Sequence, residues 1–205
     1  MALAPLPTTI GIHPPFITTR PETLILREKI FSLTGDDFEI KLLNGQPILR
    51  VSGAALSLTA RKKVYDMAGN WLFDIAKELL HVHSTYKVVG SDGQGGKAEI
   101  MSVRSSLRVV GSKATARFVS ANGREERLCM RGEWMGGDAT VVDEVHGDRP
   151  VARIERDLSI REWAFNRSTY GVHVAPGVDM ALIAALCICL DEENSESSVL
   201  GSIGG

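Results

Sequence analysis

The chain has 205 residues, 44% hydrophobic and 23% charged, a balance that supports one globular core and leaves little room for a second. Its formal net charge of -2 and pI of about 6.2 exclude a whole-molecule field that would draw it to nucleic acid or an anionic membrane, so any such binding must come from a local patch. The three cysteines, Cys129, Cys187 and Cys189, are odd in number and sit in apolar surroundings, which excludes a disulfide framework and points to a reducing compartment.

The opening stretch, MALAPLPTTIGIHPPF, has neither the basic start nor the continuous apolar run of a secretory leader, so a cytosolic or nuclear location is expected. Five of the eight prolines precede Glu22. Residues 1–22 are therefore expected to be an extended or disordered arm, because proline breaks regular hydrogen bonding.

From Thr23 to about Pro176 short runs of Val, Ile, Leu and Thr alternate with turn signals such as Asn44-Gly45, Gly69-Asn70, Asn122-Gly123 and Gly136-Gly137-Asp138. The period is two: Ala98, Ile100, Ser102 and Arg104 fall on one side of their run and Glu99, Met101 and Val103 on the other. About twelve strands are predicted. Asn44-Gly45 and Asn122-Gly123 are the clearest hairpins, since both residue types tolerate positive φ. A set this large must satisfy its outer N–H and C=O groups, and closure into an antiparallel barrel does so most completely.

Residues 177–190 break the pattern. Met180–Leu190, MALIAALCICL, is apolar without interruption, Pro176-Gly177 ends the preceding strand, and Asp179 suits the positive end of a helix dipole. A helix over the fourteen residues 177–190 spans roughly 21 Å, short of the ~30 Å bilayer core. A helix apolar on all sides is expected to be wrapped by protein, and a closed sheet supplies the wrapping. The fold class is thus mainly β, a closed barrel around a buried C-terminal helix, over residues 23–191. The acidic, serine-rich run from residue 192 to 205 reads as a solvated, flexible tail.

Three stretches resemble the LURP-one-related family, grouped with tubby C-terminal domains and phospholipid scramblases. They are FEIKLLNGQPILRVS (38–52) with VYDMAGNWL (64–72); LCMRGEW (128–134) with ATVV (139–142) and VARIER (151–156); and YGVHVAPGVDMALIAAL (170–186). The third is the most specific, a Tyr-x-Val-x-Val-x-Pro-Gly-x-Asp-x-Ala-Leu pattern directly before the apolar helix. Leu42 departs from the family, which usually carries Asp there. The resemblance implies a twelve-stranded barrel around the helix. For function it implies less: tubby proteins bind phosphoinositides through basic residues and scramblases act on membrane lipids, whereas this branch has no settled activity.

Chemistry is sparse. His81 and His83 share one side of a strand-like segment and form half of a metal site with no third ligand nearby, and His173 is expected to be a hydrogen-bonded structural histidine facing the interior. No nucleophile motif appears, and Cys187 and Cys189 are expected to be inert within the helix. Ser91–Gly96 lacks the terminal Lys-Ser or Lys-Thr of a phosphate loop and reads as a hairpin turn. Neither a cofactor nor a metal site is expected.

The basic residues Arg61, Lys62, Lys63, Lys87, Lys97 and Arg104, with Arg108, Lys113 and Arg117, fall on successive strands and could share one outer surface that Glu99, Glu125 and Glu126 partly neutralise. Three functional classes follow: a non-enzymatic binding or scaffold module that recognises a protein or an anionic lipid through its outer face and loops; a peripheral reader of phosphoinositide or anionic membrane through these cations; and an enzyme acting on a small apolar substrate at the barrel mouth with His81, His83 or His173 as acid–base group. The first is the leading expectation, because a helix in the barrel leaves little internal room.

Overall fold

The computed structural model describes residues 3–27, 38–53, 61–78, 84–106, 113–134, 138–155 and 169–203. Among them twelve strands run in chain order: β1 (Glu22–Arg27), β2 (Phe38–Leu42), β3 (Pro47–Gly53), β4 (Lys62–Asp66), β5 (Trp71–Glu78), β6 (Ser84–Ser91), β7 (Lys97–Ser106), β8 (Lys113–Val119), β9 (Glu125–Glu133), β10 (Asp138–Asp143), β11 (Arg149–Glu155) and β12 (Thr169–Val174). Each pairs antiparallel with its chain neighbours, and β12 returns to pair with β1, with Glu22 opposite Val174 and Arg27 opposite Thr169. The sheet closes as a meander with no free edge.

Tight turns join β2 to β3, β4 to β5, β6 to β7, β8 to β9 and β10 to β11 at the end where β1 begins and β12 finishes. Their sequences explain them. Gly45 and Gly123 take φ of 85° and 81°, while Asn44 and Asn122 accept the backbone N–H two residues on, locking the loop. In the Ser91–Gly96 turn, Asp92 Oδ1 accepts from the N–H groups of Gln94 and Gly96, both at 2.8 Å. Those donors are engaged by an internal carboxylate, as a hairpin turn requires.

The barrel axis is filled by α1 (Met180–Ile203). Every residue from Ala181 to Glu193 is buried, and the inward side chains of the strands, including Leu24, Leu49, Phe73, Met101 and Val172, close around them. Leu42 is part of this core. The helix starts where the Asp179 side chain caps it: Oδ1 accepts from Ala181 N at 2.8 Å and Leu182 N at 3.3 Å, meeting amides that have no partner within the helix.

α1 is longer than its apolar stretch predicts. It runs on through the acidic residues to Ile203, and Asp191, Glu192 and Glu193 are buried, which corrects the expectation of a solvated tail beginning at residue 192. Side chains from distant strands supply the reason. Tyr170 on β12 donates its hydroxyl to Asp191 Oδ2 at 2.7 Å, and Lys62 on β4 pairs with Glu192 Oε1 at 2.6 Å.

The proline-rich arm forms no barrel strand but is docked, not loose. Leu6 N donates to Pro176 O, Ile10 N to Gly177 O and Asp179 N to Ile10 O, at 2.8–3.0 Å. Ile10 is buried, and the other carboxylate oxygen of Asp179 accepts from Ile12 N at 3.0 Å and His13 N at 2.8 Å. One aspartate thus caps the central helix and fastens the arm across the tight-turn end. Gly11 is required for this approach, because a Cβ there would stand 2.3 Å from Asp179 Cβ.

Candidate functional site

The predicted basic surface divides when the strands are laid in register. Arg61 and Lys63 are exposed, but Lys62 between them is buried: strand alternation turns it inward to Glu192. It is therefore not part of an outer lipid-facing patch. Lys87 is half-buried and lies between two carboxylates, Glu78 at 2.5 Å and Glu99 at 3.2 Å, whose hydrogen bonds raise its pKa above the usual lysine value. Lys97 meets Asp74 at 3.3 Å and lies over the Trp71 ring at 4.3 Å. Arg104 is exposed on β7, opposite Thr85 and Thr115. The side chain of Lys113 and all of Arg108, His81 and His83 lie outside the described residues.

His173 faces outward, not into the barrel. Its Nδ1 meets Thr23 Oγ1 at 2.9 Å and its Nε2 meets Glu155 Oε2 at 3.1 Å. Both ring nitrogens are held by cross-strand neighbours on β1 and β11. Cys187 and Cys189 are buried in α1, and desolvation pushes both thiols well above the ordinary value.

The register brings other residues together near the tight-turn end. Lys87 is opposite Ser102, Ser102 opposite Arg117, and Arg117 opposite Arg127, so one outer rung carries three cations. Arg127 is paired with Glu144 at 2.8 Å. Arg117 is exposed and forms no ion pair with a described residue. It stands between two grooves that share Phe118 and Val119: one of about 510 Å³ continues to Val145 and Arg127, the other of about 260 Å³ to Ile100 and Ile12. Val119 and Val145 are among the most exposed large apolar side chains described, at 55% and 47%.

Beside this groove lies a cluster absent from the sequence reading. Glu126 on β9, Asp143 at the end of β10 and His146 in the following turn place their ligand-type atoms within 4.8 Å of one another. His146 Nδ1 is 2.8 Å from Asp143 Oδ2 and 3.5 Å from Glu126 Oε2. Asp143 Oδ1 accepts from Val145 N and His146 N, at 3.1 and 3.2 Å, and so builds the turn that carries the imidazole. The Arg124 guanidinium lies against the His146 ring, contacting both nitrogens, and its Nε is 3.6 Å from Glu126 Oε1. Burial pushes the Glu126 carboxyl above its ordinary range, against the opposing charge of Arg124. The signal in the sequence was Asp143-x-x-His146 after a strand; Glu126 joins only through the pairing of β9 with β10.

A family model described as LURP-one-related matches residues 22–191. Protein LURP-one-related 15 of Arabidopsis thaliana is 26% identical over 198 residues, covering 94% of this chain and 90% of its own. Protein LURP1 of the same plant is 23% identical over 180 residues, covering 86% of each. The X-ray structure of a protein from Arabidopsis thaliana superposes with a TM-score of 0.63 at 18% identity, covering 91% of this chain and 99% of that one; a likeness at that identity shows the barrel fold alone.

Proposed function

The chain belongs to the LURP-one-related family, and on that premise we propose that it is a non-enzymatic binding module that recognises a protein partner through its outer face. The observation that carries this reading is the filled barrel. With residues 181–190 of α1 buried on all sides, the axis holds side chains where a substrate chamber would be, and recognition falls to the exterior. No helix among the described residues is long and apolar enough to cross a membrane.

The surface best suited to recognition is Arg117 with the groove of Phe118, Val119 and Val145. An exposed guanidinium that forms no ion pair with a described residue, beside exposed valines, matches a segment carrying a carboxylate next to an apolar side chain, with charge setting orientation and the apolar anchor supplying affinity. The cysteine pattern supports a cytosolic or nuclear setting. The reading is tested by screening the purified protein against a peptide library of varied charge. Enrichment of acidic peptides with an apolar neighbour, lost in Arg117→Glu and in Val119→Asp, supports it, and a set indifferent to both changes opposes it.

The phosphoinositide reading retains Arg61, Lys63 and Arg104 as exposed cations. It is the weaker, because Lys62 is inside and Lys87 and Lys97 already face carboxylates.

A further inference from the structure

We propose that Glu126, Asp143 and His146 form a binding site for one divalent first-row transition-metal ion, of the zinc or manganese kind, at the tight-turn end of the barrel. Two independent observations point there. First, the three donor atoms converge: His146 Nδ1 lies 2.8 Å from Asp143 Oδ2 and 3.5 Å from Glu126 Oε2. Atoms bound at about 2.0–2.2 Å stand roughly 2.8–3.6 Å apart across a tetrahedral or octahedral edge, which the two Nδ1 distances match; all three donor atoms lie within 4.8 Å of one another, so a bound ion would draw them slightly closer.

Second, Glu126 Oε2 is buried and accepts no hydrogen bond from a described residue, and it is aimed at the same ring nitrogen. A proton on Nδ1 has Asp143 Oδ2 as its nearer acceptor. The buried carboxylate oxygen is left with lone pairs facing the ring, and a bound cation would satisfy them. A metal ion replacing the Nδ1 proton would engage both carboxylates at once.

The donor set selects the class of ion. An imidazole with two carboxylates suits zinc, manganese or ferrous iron, whereas calcium and magnesium prefer oxygen alone. Three protein ligands leave coordination positions for solvent or a bound group. Arg124 is the present counter-charge and must move aside. It is partly exposed and already lines a groove of about 210 Å³ with His146 and Thr8, which gives the displaced guanidinium a place to go.

Isothermal titration of the full chain carrying His81→Ala and His83→Ala, with zinc and manganese ions and with calcium for comparison, tests the site without the other histidine pair. The expected result is one zinc or manganese ion per chain with a Kd of about 10 μM or tighter, negligible calcium binding, and at least about a tenfold loss in the near-isosteric Glu126→Gln. Ring ¹H–¹⁵N spectra of the same protein, which need no cluster variant, should show the His146 signals move on zinc addition while those of His173 stay. Absence of saturable binding, binding undiminished by Glu126→Gln, or an unmoved His146 ring would each overturn the proposal.

Discussion

Replacing Lys62 tests whether the central residue of the basic run is an inward strut. In the native rim its ammonium is 2.6 Å from Glu192 Oε1, with the two side chains only 7% and 4% exposed. Removing one member of a buried ion pair leaves the other charge in a site of low polarity and costs about 3–5 kcal/mol, whereas an apolar pair of similar size is often neutral. Lys62→Met should therefore lower stability by about that amount, or Tm by roughly 6–20 °C at 2–4 °C per kcal/mol for a domain of this size. Lys62→Met combined with Glu192→Leu should recover most of the loss. Arg61→Ala and Lys63→Ala, one position either side and exposed, should each stay within about 0.5 kcal/mol of the parent. Urea titrations of the five proteins give the comparison. A Lys62→Met variant no less stable than Lys63→Ala would refute the inward register of β4 and the burial of the helix's acidic turn.

Asp179→Ala should cost about 2–4 kcal/mol, because Ile12, His13, Ala181 and Leu182 lose a shared acceptor; hydrogen exchange should then rise at residues 10–13 before it rises in β1. Native protein at pH 8 should show no thiol reactive toward an aromatic disulfide reagent on the minute scale, and three after unfolding, since Cys129, Cys187 and Cys189 are all buried and unpaired. A fast-reacting native thiol would contradict the packing of α1 or of β9. In vesicle sedimentation at physiological salt, neutral and phosphoinositide-containing vesicles should retain equal amounts of protein; retention that Arg61→Ala/Lys63→Ala/Arg104→Ala abolishes would establish the lipid reading instead.

The barrel was legible because its signals are local. Asn44-Gly45 and Asn122-Gly123 form hairpins through their own φ and side-chain geometry, and the apolar run at 180–190 requires a wrapped environment wherever the chain places it. The resemblance carried by residues 170–186 agreed with both. What the sequence hid depends on long-range pairing. Nothing near Glu192 announces that Lys62 will meet it, so DEEN reads as a solvated tail until the barrel rim is built around it. Glu126 is a surface charge in a two-residue alternation until β10 delivers Asp143 and His146 beside it. Asp179 was readable as a helix N-terminus, but not as the clasp of the proline-rich arm, because the arm's amides arrive from the opposite end of the chain. Of the basic residues, alternation alone places Lys62 opposite to Arg61 and Lys63; only the carboxylates across the strands show how Lys87 and Lys97 are neutralised.

The peptide-library measurement bears most directly on recognition by the outer face. Purified wild-type protein should enrich peptides that place an acidic residue beside an apolar one, and Arg117→Glu should weaken the best of them by at least about tenfold, since a like charge then faces the ligand carboxylate. Enrichment of peptides without acidic residues, or equal affinity in the Arg117→Glu protein, would contradict the assignment of this groove as the recognition surface.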